Sequence, residues 1–267
     1  MKNNDICVFQ LSDTHQFAKI NEKLMGLNTH HSFDAVVKLI HQTADANEAP
    51  FLVLTGDLSQ DGSVLSYQRI VETLKNFPGE IAWIPGNHDD DLNMATVFNA
   101  SRFSSKKHFI LNNWQVILLN SHKKGEDAGF LTEDQCHFLI STLSKHPNHA
   151  LIMLHHHILP TGAKWLDHIN LTNHQDFLDI IDQFAQVKVV ACGHVHQLSE
   201  QTRRKVFYCT APSTCFQFKP KAPDFLLDDV MPGFNIIHLH SDGRASMSVK
   251  RIPFHKAFVP DMTLDGY

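Results

Sequence analysis

The sequence predicts an α/β fold built on a largely parallel sheet. Three observations carry this. Short apolar runs of strand length, Phe51 to Leu54 and Ile81 to Ile84, each stop abruptly in a glycine-containing loop rich in polar side chains. Segments with apolar residues at helical spacing separate these runs, so strand, helix and strand alternate from the start of the chain. The same ending, Asp or His just beyond an apolar run, also recurs five times along the sequence. Ligands bind at the carboxyl ends of strands in open α/β sheets, so this placement carries a functional meaning that the same residues in mid-helix would lack.

The elements follow in order. Ile6 to Leu11 reads as a strand that ends at Ser12-Asp13-Thr14-His15; two residues apart in extended chain, Asp13 and His15 would share a side. Residues 32 to 46 carry Phe33, Val36, Val37, Leu39 and Ile40 at helical spacing, with Ser32 as N-cap. The strand from Phe51 delivers Gly56-Asp57, a helix covers about residues 63 to 74, and the strand from Ile81 delivers Gly86-Asn87-His88-Asp89. This βαβαβ opening implies right-handed crossovers. Residues 91 to 107, with Met94, Val97, Phe98 and Phe103, read as a short helix forming a small cap insertion over the cleft. Residues 109–111 and 115–120 pair around Asn112-Asn113, a polar loop fills 121–129, and Thr132 with Gln135 opens a helix to about Lys145 in a capping-box pattern. Ala150 to Leu154 ends in His155-His156-His157, a helix covers about 174 to 184, and Val187 to Ala191 ends in Cys192-Gly193-His194-Val195-His196. Residues 252–267 form a C-terminal tail to a single domain spanning 1–267.

Composition sets the context. A chain of 267 residues that is 43% hydrophobic can bury a full core. A net charge of −5 leaves no basic footprint for nucleic acid or an anionic membrane, so an anionic ligand needs a local attraction. The five cysteines, at 7, 136, 192, 209 and 215, are odd in number without a C-x-x-C pair, which argues against a disulfide framework or structural zinc. The N-terminus lacks a signal-peptide pattern and no long uncharged apolar stretch occurs, so the expectation is a cytoplasmic protein. No heptad or other seam marks an obligate protein partner. Histidine is the anomaly, with 20 residues, and imidazole is the commonest metal ligand.

Each strand-end cluster alone has a bland reading as turn formers or satisfied histidines; five in one chain do not. Two divalent cations about 3.5–4 Å apart need a bridging carboxylate with imidazoles and oxygens drawn from several adjacent strand ends. Asp13, His15, Asp57, Asn87, His155, His194 and His196 are the candidates. Hard oxygens with borderline nitrogens and no thiolate favour Fe, Mn or Zn over Ca or Cu(I).

The ordered blocks Asp13-x-His15, Gly56-Asp57, Gly86-Asn87-His88-Asp89, His155 and Gly193-His194-Val195-His196 resemble the calcineurin-like metallophosphoesterase superfamily. The stretches LSDTHQF, TGDLSQDGS, PGNHDD, LHHHILPTG with WLD, CGHVHQ, APSTCFQFKP and PGFNIIHLHSDG further resemble the bacterial class III cyclic-AMP phosphodiesterases across nearly the whole chain, although Ile158 stands where many members have proline. The resemblance implies a four-layer α/β/β/α sandwich with two mixed sheets, the strands from about Val206, Phe234 and Ala245 completing the second. It implies two divalent metal ions, Fe or Mn foremost and Zn as the alternative. Asp13, His15 and His196 would hold one, Asn87, His155 and His194 the other, with Asp57 bridging. His155 aligns with the family's ligand, His156 is the fallback, and His157 supports the loop. His15, Asp57, Asn87, His88, His155 and His196 would surround the substrate phosphate, Asp57 and His88 being catalytic. His88 would protonate the leaving oxygen while Asp89 orients its ring. The implied reaction is in-line attack of a metal-bridging hydroxide on 3′,5′-cyclic AMP, giving 5′-AMP. Rival readings are a related dimetal enzyme for another phosphodiester, a phosphomonoester or a lipid pyrophosphate, and a degenerate cyclic-nucleotide-binding scaffold. A further rival is a chain whose histidine loops collect metal adventitiously.

Overall fold

The computed structural model describes residues 5–44, 50–264 and 266. The chain runs β1 (Ile6–Leu11), the short hairpin β2 (Lys23–Leu24) and β3 (Leu27–Asn28), α1 (Thr29–Thr43), β4 (Phe51–Thr55), α2 (Val64–Leu74), β5 (Glu80–Ile84) and α3 (Asp91–Asn99). It continues with β6 (His108–Leu111), β7 (Trp114–Leu118), α4 (Glu133–Lys145), β8 (His149–Leu154), α5 (Lys164–Asp167), α6 (His174–Ile181) and β9 (Val187–Cys192). Then come β10 (Ser199–Arg203), β11 (Val206–Thr210), β12 (Gln217–Phe218), β13 (Leu227–Asp228), β14 (Gly233–Leu239) and β15 (Ala245–Arg251).

Two sheets stack face to face. The first has the order β15-β14-β1-β4-β5 and the second β10-β11-β9-β8-β7-β6. β1, β4 and β5 are parallel, as are β7, β8, β9 and β11, with antiparallel strands at the margins of both sheets. Strand periodicity assigns the faces. In the first sheet Phe9, Leu11, Leu52, Leu54, Ile81 and Trp83 point outward into a core shared with α1, α2 and α3. Their alternates Val8, Val53, Ala82 and Ile84 point inward and meet Val116, Leu118, Leu151, Met153 and Val189 of the second sheet. The other face of the second sheet, through Ile117, Ile152, Leu154 and Val190, packs on α4 and α6. Helix, sheet, sheet and helix thus form four layers. A fourth, smaller cluster joins Leu27, Leu166, Phe216, Phe218 and Leu227, from the β2–β3 hairpin, α5 and β12–β13, beside the carboxyl ends of the strands.

Several expectations need correction. α1 starts three residues earlier than Ser32, because Asn28 caps it by accepting the His31 N–H (2.9 Å). Ser32 lies inside the helix, where its hydroxyl donates to the Thr214 carbonyl; Ala46, the expected end, is outside the described residues. Thr132 caps α4 as expected, but Gln135 does not reach back to it: its side-chain oxygen accepts the Asn120 N–H instead (2.9 Å). β14 and β15 complete the first sheet rather than the second, β14 lying antiparallel beside β1. Only β11, with the unforeseen β10, extends the second. In residues 91–107, α3 buries Met94 and Phe98, with Phe103 after it, in the first core. Within the tail, Asp261 lies against the β2–β3 hairpin, its N–H donating to the Met25 carbonyl (2.9 Å). No described helix is long and apolar enough to cross a membrane.

Candidate metal centre

Both sheets end at one place. From the first come Asp13 and His15 after β1, Asp57 after β4, and Asn87 and His88 after β5; from the second come His155 after β8 and His194 and His196 after β9. Backbone bonds lace these loops together. The Asp13 N–H donates to the Gly56 carbonyl (2.9 Å), the His15 N–H to that of Asp57 (3.0 Å), and the Gly193 N–H to that of His155 (2.9 Å). Gly193 is required by the closeness of the two sheets, since a Cβ there would lie 2.0 Å from Ser12 Oγ and 2.8 Å from the Thr55 carbonyl oxygen.

The same-side expectation for Asp13 and His15 reaches the right outcome by the wrong geometry. Neither is extended: both sit in the left-handed region, with φ of 54° and 44°. Asp57 (49°), His194 (70°) and His196 (46°) do the same. Left-handed non-glycine residues cost on the order of 1–3 kcal/mol each and cluster where function holds them. Here they turn successive side chains inward from tight loops.

The imidazoles are aimed. His155 donates Nδ1–H to the Thr55 carbonyl (2.7 Å), His196 to the Phe216 carbonyl (3.0 Å), and His15 to Gln60 Oε1 (2.6 Å). Each bond fixes the tautomer that leaves Nε2 as a lone pair, the usual way in which an outer contact orients a metal-binding histidine. The Nε2 atoms of His15 and His196 then face each other at 3.1 Å. Two lone pairs at that distance repel unless a cation or proton lies between them. His196 Nε2 is 3.6 Å from Asp13 Oδ1, His155 Nε2 is 3.3 Å from Asp57 Oδ2 and 3.1 Å from Asn87 Oδ1, and His15 Nε2 is 4.0 Å from Asp57 Oδ2. His194 is buried with no hydrogen-bond partner on either ring nitrogen, while its backbone N–H donates to Asp13. Donor atoms of Asp13, His15 and His196 lie within 4.8 Å of one another, as do those of Asp13, Asp57 and His155, and of His155, His156 and His194. The set fits divalent cations: the unbonded ring nitrogens of His194, the facing Nε2 atoms of His15 and His196 and two buried carboxylates are the donors such ions take.

The electrostatics agree. Burial alone would raise Asp57, but the His155 and His88 rings outweigh it and hold the carboxyl well below its usual range. Burial, abetted by the Asp57 charge, pushes Asp13 up to about 7, with His155 opposing. His155 is raised to about 9, since Asp57 and Asp13 overcome the effect of burial, whereas burial takes His15 down to about 3 and His194 and His196 well below their ordinary value.

His156 is differently engaged. Its Nδ1 lies 2.8 Å from Ser121 Oγ and its Nε2 3.1 Å from the Asp127 carbonyl oxygen, so both nitrogens hold the 121–129 loop. His157 stacks on His194 (5.8 Å between ring centres) and stands 3.6 Å from Asp167. His88 lies edge-on to His15 (5.1 Å), and its N–H donates to Asp57 Oδ1 (2.9 Å). Asp89 ties loops together, accepting from the N–H groups of Leu58, Ser59 and Gly86 and from the Tyr67 hydroxyl. Gln60 was missed as a partner of His15 although it lies within the TGDLSQDGS stretch; the Thr55 and Phe216 carbonyls leave no side-chain signal to find.

Comparison with known proteins fits this geometry. Over residues 8–198 the chain matches the family described as Calcineurin-like phosphoesterase. It is 40% identical over 264 residues to the 3′,5′-cyclic adenosine monophosphate phosphodiesterase CpdA of Haemophilus influenzae, covering 98% of this chain and 95% of that one. To the protein of the same name in Escherichia coli (strain K12) it is 38% identical over 264 residues, covering 97% and 94%. Among solved structures, a dimetal phosphatase from Danio rerio has the same fold, with a TM-score of 0.59 at 14% identity over 93% of this chain and 99% of that one. The chain belongs to the calcineurin-like phosphoesterase family.

Proposed function

We propose that this protein is a dimetal phosphodiesterase that hydrolyses 3′,5′-cyclic AMP to 5′-AMP. The observation that carries the reading is the convergence of buried imidazoles and two carboxylates, with His15, His155 and His196 each aimed by a bond on the far nitrogen. The names of its full-length relatives support the substrate. Asp13, His15 and His196 would hold one cation, Asn87, His155 and His194 the second, and Asp57 would be shared. The N/O donor set favours Mn or Fe, with Zn as the alternative. Such a pair, when bound, draws in the anionic phosphate, polarises its oxygens and lowers the pKa of water to near neutrality.

The chain's own groups do the rest. His15, Asp57, Asn87, His88, His155 and His196 wall the space where the phosphate would sit. His88 is half-buried beside His15 with its backbone fixed to Asp57, and it would donate the proton that the departing 3′ oxygen needs. The Asp57 carboxylate stays ionised because the rings around it stabilise its charge. The protein would act in the cytoplasm without an obligate protein or nucleic-acid partner; its cysteines, all free, suit a reducing compartment.

The test is a hydrolysis screen of Mn-loaded protein and its His88→Ala variant on 3′,5′-cyclic AMP, cyclic GMP, 2′,3′-cyclic AMP, bis(p-nitrophenyl) phosphate and p-nitrophenyl phosphate. Preference for 3′,5′-cyclic AMP with 5′-AMP as product is expected, and His88→Ala should keep its metals while turnover falls roughly 10²- to 10⁴-fold. Diester cleavage without cyclic AMP turnover would sink the substrate, and a metal-free His88→Ala would make that residue a ligand.

A further inference from the structure

Beside the centre, outside the residues given a role so far, lies a charged cluster that joins the two sheets. Asp91 opens α3, two residues past the Gly86–Asp89 loop. Its Oδ1 is 2.6 Å from His122 Nδ1, and its Oδ2 accepts from the Asn120 side-chain amide (3.3 Å). His122 and Asn120 belong to the loop after β7, where the His122 N–H donates to Asn120 Oδ1 (2.8 Å) and the Asn120 N–H to Gln135 of α4 (2.9 Å). The His122 side chain is only 7% exposed. Lys107 stands nearby on the same seam, its ammonium 3.6 Å above the Trp83 ring of β5 and bonded to the Trp83 carbonyl. The charges that act on His122 are Asp91, Asp89 and Asp57, all acidic, and Asp91 also acts on Lys107.

The position of this cluster matters because Asn87 and His88 must register against groups of the other sheet. On its near side their loop is fastened to the 57–59 loop and to α2, through His88 N–H to Asp57, the Leu58 and Ser59 N–H groups to Asp89, and Asp90 N–H to Tyr67. Yet Asn87 Oδ1 has to meet His155 Nε2, which β8 of the second sheet supplies, at 3.1 Å. Asp91, at the start of α3 just past that loop, grips the loop that follows β7 of the second sheet. We propose that Asp91 and His122 are a positioning pair that sets Asn87 and His88 in register with His155 across the seam, a reading that rests on the proposed phosphodiesterase site. The pair touches neither the phosphate nor the metals; it acts through the loop between them.

The experiment compares Asp91→Ala, His122→Ala, the double variant and His122→Gln, all Mn-loaded, on bis(p-nitrophenyl) phosphate and cyclic AMP. Metal content is read on each sample, and melting is followed on the metal-free chains. Each single alanine change should lower kcat at saturating Mn roughly 10-fold, within the 10²-fold that a displacement of about 1 Å can cost, with KM unchanged. The double variant should be no slower than the worse single. His122→Gln, which can still donate to Asp91, should recover most of kcat. In the metal-free chains each single change should lower Tm by roughly 3 °C, and the double by little more. Singles whose effects multiply, or kcat at the wild-type level, would each overturn the pair. Wild type that cleaves the artificial diester but not cyclic AMP would remove the substrate reading alone, and the pair is then judged on that diester.

Discussion

At the scale of single residues, the site was legible wherever chemistry sits in a side chain of unusual type at a strand end. Asp13, His15, Asp57, Asn87, His155, His194 and His196 all reach one space. Less visible was the choice among three successive histidines, because what separates them is the partner on the far nitrogen. His155 turns Nε2 inward since a backbone carbonyl holds its Nδ1, whereas His156 has both nitrogens committed to the 121–129 loop. His155→Ala should therefore lose bound Mn, and His156→Ala should keep it while the loop loosens; mass spectrometry of metal content on the two purified variants decides. The reverse pattern would move the ligand by one residue. Equally hidden was the backbone at Asp13 and His15, where left-handed turns, not alternation along a strand, bring the side chains together.

Among elements, the buried strands were legible because continuous apolar runs bounded by glycine have few other uses. Helix α1 was displaced because both Asn28 and Ser32 are capping residue types, and only the structure shows that Asn28 reaches the free N–H of His31. The two-residue strands β2, β3, β12 and β13 carry no periodicity to detect. Loop packing between the sheets makes a prediction at this scale. In Gly193→Ala the new methyl must push apart Ser12 and Thr55 on one sheet from the β9 loop on the other. Overpacking of this kind costs about 1–3 kcal/mol. A lower Tm with weaker Mn binding is expected from calorimetry and metal titration, and unchanged values in both would show that the loops can give way freely.

For the whole molecule, the partner of β1 escaped the sequence because an antiparallel neighbour more than 200 residues away leaves no local mark. The two sheets are held by the apolar layer between them and meet at their polar ends in groups of His and Asp donors that could hold metal ions. Metal binding should thus stabilise the fold as a whole, by about 2.7 kcal/mol at a hundredfold excess over Kd. Removing metal with a chelator should lower Tm and returning Mn should restore it; an unchanged Tm would mean that no cation is bound in the folded state. The placement of β14 beside β1 has one more consequence, for the birth of the molecule. A ribosome makes β1 long before its neighbour β14, so until residues 233–239 emerge the growing chain carries a bare strand edge of the kind that recruits other chains. Messages cut short just before residue 233 would yield polypeptides bearing every proposed ligand and still lacking the strand that covers β1.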